Sequence, residues 1–232
     1  MSTVDQPRPI RSFVRREGRL TTAQQRALDE LWPRYGLDAG GPPLDLDGVF
    51  GRSAPRVLEI GFGDGGVLLE LARNRPEYDF LGIEVHRPGV GRLLHRLAEA
   101  ELTNVRVICA DAVVLLRERF RDASLDRINI FFPDPWPKKR HHKRRLIQPP
   151  VVALLAARLR PDGLLHLATD WPPYAEQMLE GVTASGVFVN LAEGFARGPG
   201  DRPPSKFERR GLRLGHPVHD LRFRRRRPGE SV

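Results

Sequence analysis

From Arg56 onward the chain repeats one alternation, a short β-rich run followed by a stretch with helical spacing of its apolar residues. The runs 57–60, 80–85, 105–110, 125–132 and 164–169 are dense in Val, Ile, Leu and Phe, which predicts buried strands. The stretches 67–73, 93–100, 113–120, 146–159 and 176–182 predict helices, and two weaker strands are predicted near 187–191 and 218–223. Strand–helix–strand units admit few topologies, because a crossover helix returns the chain to a parallel neighbour and covers one face of the sheet. The expected fold is therefore α/β, a mainly parallel seven-stranded sheet with helices on both faces. Ligands of such sheets bind outside the carboxyl ends of the strands. Glu59, Glu84, Asp111, Asp134 and Asp170 all fall at or near those ends, so one edge of the sheet is expected to carry a cluster of acids.

The fourth of these strands ends abruptly. Phe131-Phe132 runs into Pro133, Pro135 and Pro137, and proline lacks the N–H that a ladder needs. Asp134 lies between two of these prolines and near Trp136, on a stiff loop. Six Lys/Arg and two His follow in eight residues, Lys138 to Arg145. A fixed acid beside an aromatic ring and a cationic run suits a base and its phosphates; the plain alternative is a Pro-rich turn before a solvated helix start. Trp136 either stacks on a base or packs beneath its loop.

With 232 residues, 40% of them apolar, the chain is long enough for one well-filled domain. Its formal net charge of +9 points to a polyanionic partner. Cys109 is the only cysteine, which excludes an internal disulfide and a cysteine-rich zinc site and fits a reducing cytoplasm. His141 and His142 lack a carboxylate or thiol at ligand spacing, so no metal is expected. No apolar run reaches the length of a membrane span, and the N-terminus lacks the apolar centre of a signal peptide. Residues 1–19, with Arg8, Arg11, Arg15, Arg16 and Arg19, read as a basic, flexible arm. The rest, 20–232, reads as a single catalytic domain with a basic tail from about 222. Within it, Thr21 or Thr22 with Gln24 or Gln25 predicts a capping box opening a helix to about Tyr35, and 36–53 reads as a loop.

The first strand ends in a glycine loop that fits two patterns. Gly61, Gly63 and Gly66 match G-x-G-x-x-G, and Gly61, Gly63 and Gly65 match G-x-G-x-G. Glu84, about twenty residues on, suits ribose hydroxyls under either. Charge separates the two. A dinucleotide pyrophosphate is an anion, whereas S-adenosylmethionine carries a sulfonium and an ammonium; Glu59 and Asp64 beside the loop favour the cation. Asp111 is placed to accept from an adenine amine, or merely to cap the next helix. The acid and glycine pattern as a whole resembles a Rossmann-like class I methyltransferase.

Beyond that, the chain resembles the tRNA (guanine-N7)-methyltransferase family over nearly its whole length. The resemblance rests on the 11–21 segment, Glu59 to Gly63, Gly82 to His86, Phe132-Pro133-Asp134-Pro135-Trp136, Lys143 to Arg145, Ala168-Thr169-Asp170-Trp171 and Lys206-Phe207-Glu208. It implies methyl transfer from S-adenosyl-L-methionine to N7 of a guanine in the variable loop of tRNA. It further implies that Glu59, Gly61, Gly63, Glu84, Asp111, Ala112 and Asp134 hold the donor, with Asp134 catalytic. Lys138, Asp170, Ser205, Lys206, Phe207 and Glu208 would contact substrate, and Arg140, His141, His142, Lys143, Arg144 and Arg145 the RNA. The family usually has Thr where Ser205 stands; serine keeps the hydroxyl. tRNA is the expected partner, with no membrane and no protein partner, in a monomer or weak homodimer. The readings from other classes are an RNA-binding protein that keeps this fold without catalysis, a methyltransferase on another RNA or a small molecule, and an NAD(P) oxidoreductase.

Overall fold

The computed structural model describes residues 12–13, 19–205, 208 and 217–231. Its elements follow in the order α1 (Thr22–Tyr35), α2 (Leu46–Phe50), β1 (Arg56–Ile60), α3 (Gly66–Asn74), β2 (Asp79–Ile83), α4 (Arg87–Glu99) and β3 (Val105–Ile108). Then come α5 (Ala112–Glu118), β4 (Leu125–Phe131), a 3₁₀ turn (Lys139–Arg144), α6 (Pro149–Arg158), β5 (Leu159–Thr169), α7 (Pro172–Ala184), β6 (Phe188–Asn190) and β7 (His219–Arg225). Among the described residues the seven strands form one sheet in the order β3-β2-β1-β4-β5-β7-β6. β1 to β5 are mutually parallel, and β7 runs antiparallel to both β5 and β6. The chain works outward from β1 to β3 and then returns to β4 on the other side of β1. This reversal opens a crevice at the carboxyl ends of β1 and β4, where doubly wound sheets take their ligands.

Alternation along the strands divides the core in two. Leu58, Ile60, Ile128, Ile130, Leu165, Leu167, Leu221 and Phe223 pack with residues of α5, α6 and α7 on one face. Val57, Phe131 and Ala168 pack on the other face with α1, α3 and α4. The same period of two puts Glu59, Arg127, Asn129, His166 and Asp220 on that second face, and all but the partly buried Arg127 are buried. These polar positions form a band across β1, β4, β5 and β7.

The predicted elements all occur, and the differences are local. Thr21 and Gln24 make the capping box of α1, with the Thr21 hydroxyl accepting from the Gln24 N–H at 3.2 Å and Gln24 accepting from the Thr21 N–H at 2.9 Å. The predicted loop 36–53 contains α2, whose Leu46 is buried against the core. α4 starts at Arg87, six residues before the apolar stripe shows, because Pro88, Gly89 and Gly91 blur its pattern. β5 begins at Leu159, ahead of the predicted strand 164–169, and is paired there to Leu125; a register shift follows before Arg127, and Asp162 takes a φ of 64°.

The basic C-terminal segment begins within the last strand. Residues 219–225 are a sheet strand, and its register sets Arg224 opposite Leu164 and His219 opposite Thr169. Arg224 therefore lies five residues, roughly 17 Å, from the carboxyl edge of β5. Arg224 pairs with Asp162 and Glu230, and Arg227 with Asp162, so this charge is compensated where it stands.

Candidate functional site

β1 and β4 are in register, with Ile60 opposite Ile130. The glycine loop and the Pro-Asp-Pro-Trp loop therefore leave the sheet side by side. Gly61 and Gly63 both adopt left-handed φ, 74° and 61°, and a Cβ added to either would meet no other part of the protein within 4 Å. The loop thus has an open side where backbone can lie directly against a ligand. Its far side is closed: Gly89, at the start of α4, sits so near that an added Cβ would fall 2.1 Å from the Gly63 carbonyl oxygen.

Glu84 holds the loop to the end of β2. One carboxylate oxygen accepts from the Gly63 N–H at 2.8 Å, and the other accepts from the Val85 and His86 N–H groups at 2.7 and 3.0 Å. A carboxylate has about four lone-pair sites, so one is left on the loop side. Asp111, at the end of β3, caps α5 by accepting from the Val113 N–H at 2.9 Å, and Ala112 is buried behind it. Glu59 is 3% exposed and its Oε2 has no hydrogen-bond partner. Burial pushes its carboxyl up to about 8, against the pull of Arg127 and Arg202 and with a push from Glu84 and Asp64. An orphaned buried carboxyl oxygen, an open glycine cradle and a hydroxyl-accepting Glu84 fit a cationic nucleoside donor.

Asp134 is exposed on its loop, and its field reaches the buried Tyr174 of α7. The loop begins with Phe132 at φ 52° and is closed by the Phe132 N–H donating to the Ala168 carbonyl at 2.8 Å. Trp136, also left-handed at φ 45°, is packed rather than presented. The Arg144 guanidinium lies 5.0 Å from its ring centre, His141 meets its edge at 5.8 Å, and its N–H donates to the Ser12 carbonyl at 3.1 Å. Lys138 and Asp170 are exposed at this same edge, after β4 and β5 respectively.

The basic run divides. Lys138, Lys139, Arg140, Lys143 and Arg144 are exposed on or beside the 3₁₀ turn. Arg145, expected on the RNA side, is buried instead at 3% exposure. Its Nε donates to the Pro135 carbonyl at 2.8 Å and its guanidinium lies 4.8 Å from the Tyr174 ring centre. It braces the loop from beneath. His141 is held below the ordinary imidazole value by desolvation first and then by Arg140, Arg144, Lys138 and Lys143. It and its neighbour His142 are both half-buried.

Ser205 and Glu208 are tied by a reciprocal pair of hydrogen bonds. The Ser205 hydroxyl accepts from the Glu208 N–H at 3.0 Å, and the Glu208 carboxylate accepts from the Ser205 N–H at 3.1 Å. Lys206 and Phe207, like Arg8, Arg11, Arg15 and Arg16 of the arm, lie outside the described residues. Sequence reasoning missed the partners of this segment. Arg202, His166, Asp220 and the partly buried Arg127 form a polar chain; the strand positions of Arg127, His166 and Asp220, polar where neighbours alternate with core, were the only signal of it.

A family model described as a putative methyltransferase matches residues 53–221. A tRNA (guanine-N(7)-)-methyltransferase of Halorhodospira halophila is 58% identical over 96% of this chain and 98% of its own length. One of Alkalilimnicola ehrlichii is 59% identical over 94% of each chain. Among solved structures the 16S rRNA methyltransferase KamB superposes with a TM-score of 0.60 at 15% identity, over 81% of this chain and 96% of that one. A 16S rRNA (adenine(1408)-N(1))-methyltransferase with cosubstrate SAM, from Catenulisporales acidiphilia, gives 0.54 at 17% identity, over 82% and 95%.

Proposed function

The chain belongs to the tRNA (guanine-N7)-methyltransferase family, and on that premise we propose that it carries the methyl group of S-adenosyl-L-methionine to N7 of a guanine in the variable loop of tRNA. One observation carries the reading: β1 and β4 lie side by side at the reversal of strand order, so the glycine cradle adjoins the Asp134 loop.

The donor supplies an electrophilic methyl on a sulfonium. Guanine N7 has a lone pair and no proton, so the chain needs no general base for this acceptor. Its task is to align the acceptor and to meet the charge that develops. Glu59, Gly61, Gly63, Glu84, Asp111 and Ala112 form the donor side. Glu84 offers its remaining lone pair to ribose hydroxyls, and Glu59, once ionised, would face the donor's ammonium. Asp134, fixed between prolines, grips the N1–H and amine edge of the guanine, opposite N7, or faces the positive charge of the methylated ring. Lys138, Asp170, Ser205 and Glu208 form the acceptor side. Arg140, Lys143 and Arg144 take RNA phosphates, with His141 and His142 beside them.

The test is methyl transfer to an unmodified tRNA transcript with labelled donor, mapped by chain cleavage at N7-methylguanine. A single variable-loop product is expected. Asp134→Ala should lose about 10²-fold or more in kcat/KM, the scale of lost alignment. Transfer by Asp134→Ala at the unaltered rate would remove Asp134 from the mechanism.

A further inference from the structure

We propose that Arg202 is a positioning residue for methyl transfer, a single buried guanidinium that ties Glu208 to the strand end carrying Asp134. This rests on the reading of the Asp134 loop as the acceptor site.

Arg202 has no exposed side chain. Its Nε and Nη2 donate to the two carboxylate oxygens of Asp220 on β7, at 3.0 and 2.9 Å. Its Nη1 and Nη2 also donate to Glu208, the latter at 2.9 Å. The flat face of the same group lies 5.3 Å from the Phe131 ring centre and 5.6 Å from that of Phe132. Phe131 is the last residue of β4, and Asp134 follows two residues after Phe132. One cation therefore touches both motifs of the acceptor side.

Its anchor is rigid in turn. The Asp220 carboxylate also accepts from His166 Nε2 at 2.8 Å. Arginine only donates, so the Arg127 Nη2 that meets His166 Nδ1 at 2.9 Å fixes the ring as the Nε2–H tautomer. Burial holds that imidazole low and neutral against the pull of Asp220. Arg127 is held by Asp201, next to Arg202 in the chain, at 2.6 and 2.9 Å.

Stability alone does not call for this arrangement, since buried ion pairs are often no more stabilising than apolar residues of the same volume. What two forked pairs add is orientation, which lysine, a point charge, cannot supply. The Glu208 carboxylate accepts from both terminal nitrogens of Arg202 and from the Ser205 N–H. Glu208 therefore acts on the strand end through the guanidinium.

The experiment compares Arg202→Lys, Arg202→Met, Glu208→Gln and the double variant Arg202→Met/Glu208→Gln. Each is measured for kcat and KM with tRNA, for S-adenosylhomocysteine affinity by calorimetry and for melting temperature. Arg202→Lys, which keeps the charge, is expected to lose about 10-fold or more in kcat with ligand affinity within about two-fold of the unaltered chain. The double variant is expected to be no slower than Arg202→Met, because the two residues act as one unit. Arg202→Lys at the unaltered kcat, or losses that multiply in the double variant, would overturn the proposal. Should Arg202→Met not fold, the lysine variant decides. If the unaltered chain methylates no tRNA, the acceptor-site reading falls and takes this proposal with it.

Discussion

Glu59 shows how one side chain can couple donor binding to pH. With its carboxyl pushed up to about 8 by burial, roughly one molecule in ten carries the charge at pH 7 in the free protein. An ammonium arriving beside the orphaned Oε2 favours the ionised form. Donor binding should then tighten as pH rises from 6.5 to 8.5 and release a proton. Calorimetry in two buffers of different ionisation enthalpy reads that proton directly, and Glu59→Gln should abolish both effects. A donor affinity that stays constant across this range would reject the coupling. Asn129, in register with Glu59, also has an orphaned amide nitrogen, so two unmet polar groups stand together on this band. Trp136 belongs to the same scale: Arg144, His141 and the Ser12 carbonyl all contact its ring and tie it to its loop.

Among the elements, α4 and the 3₁₀ turn make separable contributions. α4 reaches the glycine loop only because Gly89 has no Cβ. Gly89→Ala forces methyl against the Gly63 carbonyl, and overpacking of this kind costs about 1–3 kcal/mol. At roughly 2–4 °C per kcal/mol for a chain of this size, the melting temperature should drop by several degrees, with donor affinity falling alongside. An unchanged melting temperature would mean the helix slides freely. The 3₁₀ turn is expected to govern RNA affinity without touching the donor. Each phosphate contact contributes roughly 0.7–0.9 to the slope of log affinity against log salt, so Lys143→Ala should lower that slope by about this amount. Lys143 suits the test because it is exposed, whereas Arg144 also covers Trp136 and Arg145 braces the Asp134 loop. A slope that does not change would take Lys143 out of the interface.

For the molecule as a whole, the buried band on the second face sets the dependence of stability on pH. Burial works to raise the Asp220 carboxyl, but hydrogen bonds from His166 and Arg202 hold it below 3.8; the Arg127 bond does the same for Asp201. Their contribution is complete above the ordinary carboxylate value and is lost as pH falls through the lowered one. Glu59 has the opposite sign: its contribution is complete below 4.5 and is lost as pH rises through about 8. The ligand-free chain should therefore melt at a lower temperature at pH 8 than at pH 5.5, and Glu59→Gln should remove most of that difference. Equal slopes for the two proteins would reject this account of the band. The sequence by itself determined the sheet and its edge. Period-two and helical patterns, the three prolines after Phe132 and the acids at strand ends act locally, so they placed the glycine loop, Glu84, Asp111 and Asp134 before any contact was known. Tertiary structure alone decided which charges are used and where. Arg145 reads like Arg144, yet it is buried under Pro135; Arg224 reads like one more RNA contact, yet antiparallel register carries it to the far end of β5. Arg202 stands in a loop without pattern, and its partners at 208 and 220 are recruited only when β7 adds to the sheet. Burial and pairing are properties of neighbours distant in the chain, and local spacing holds no record of them.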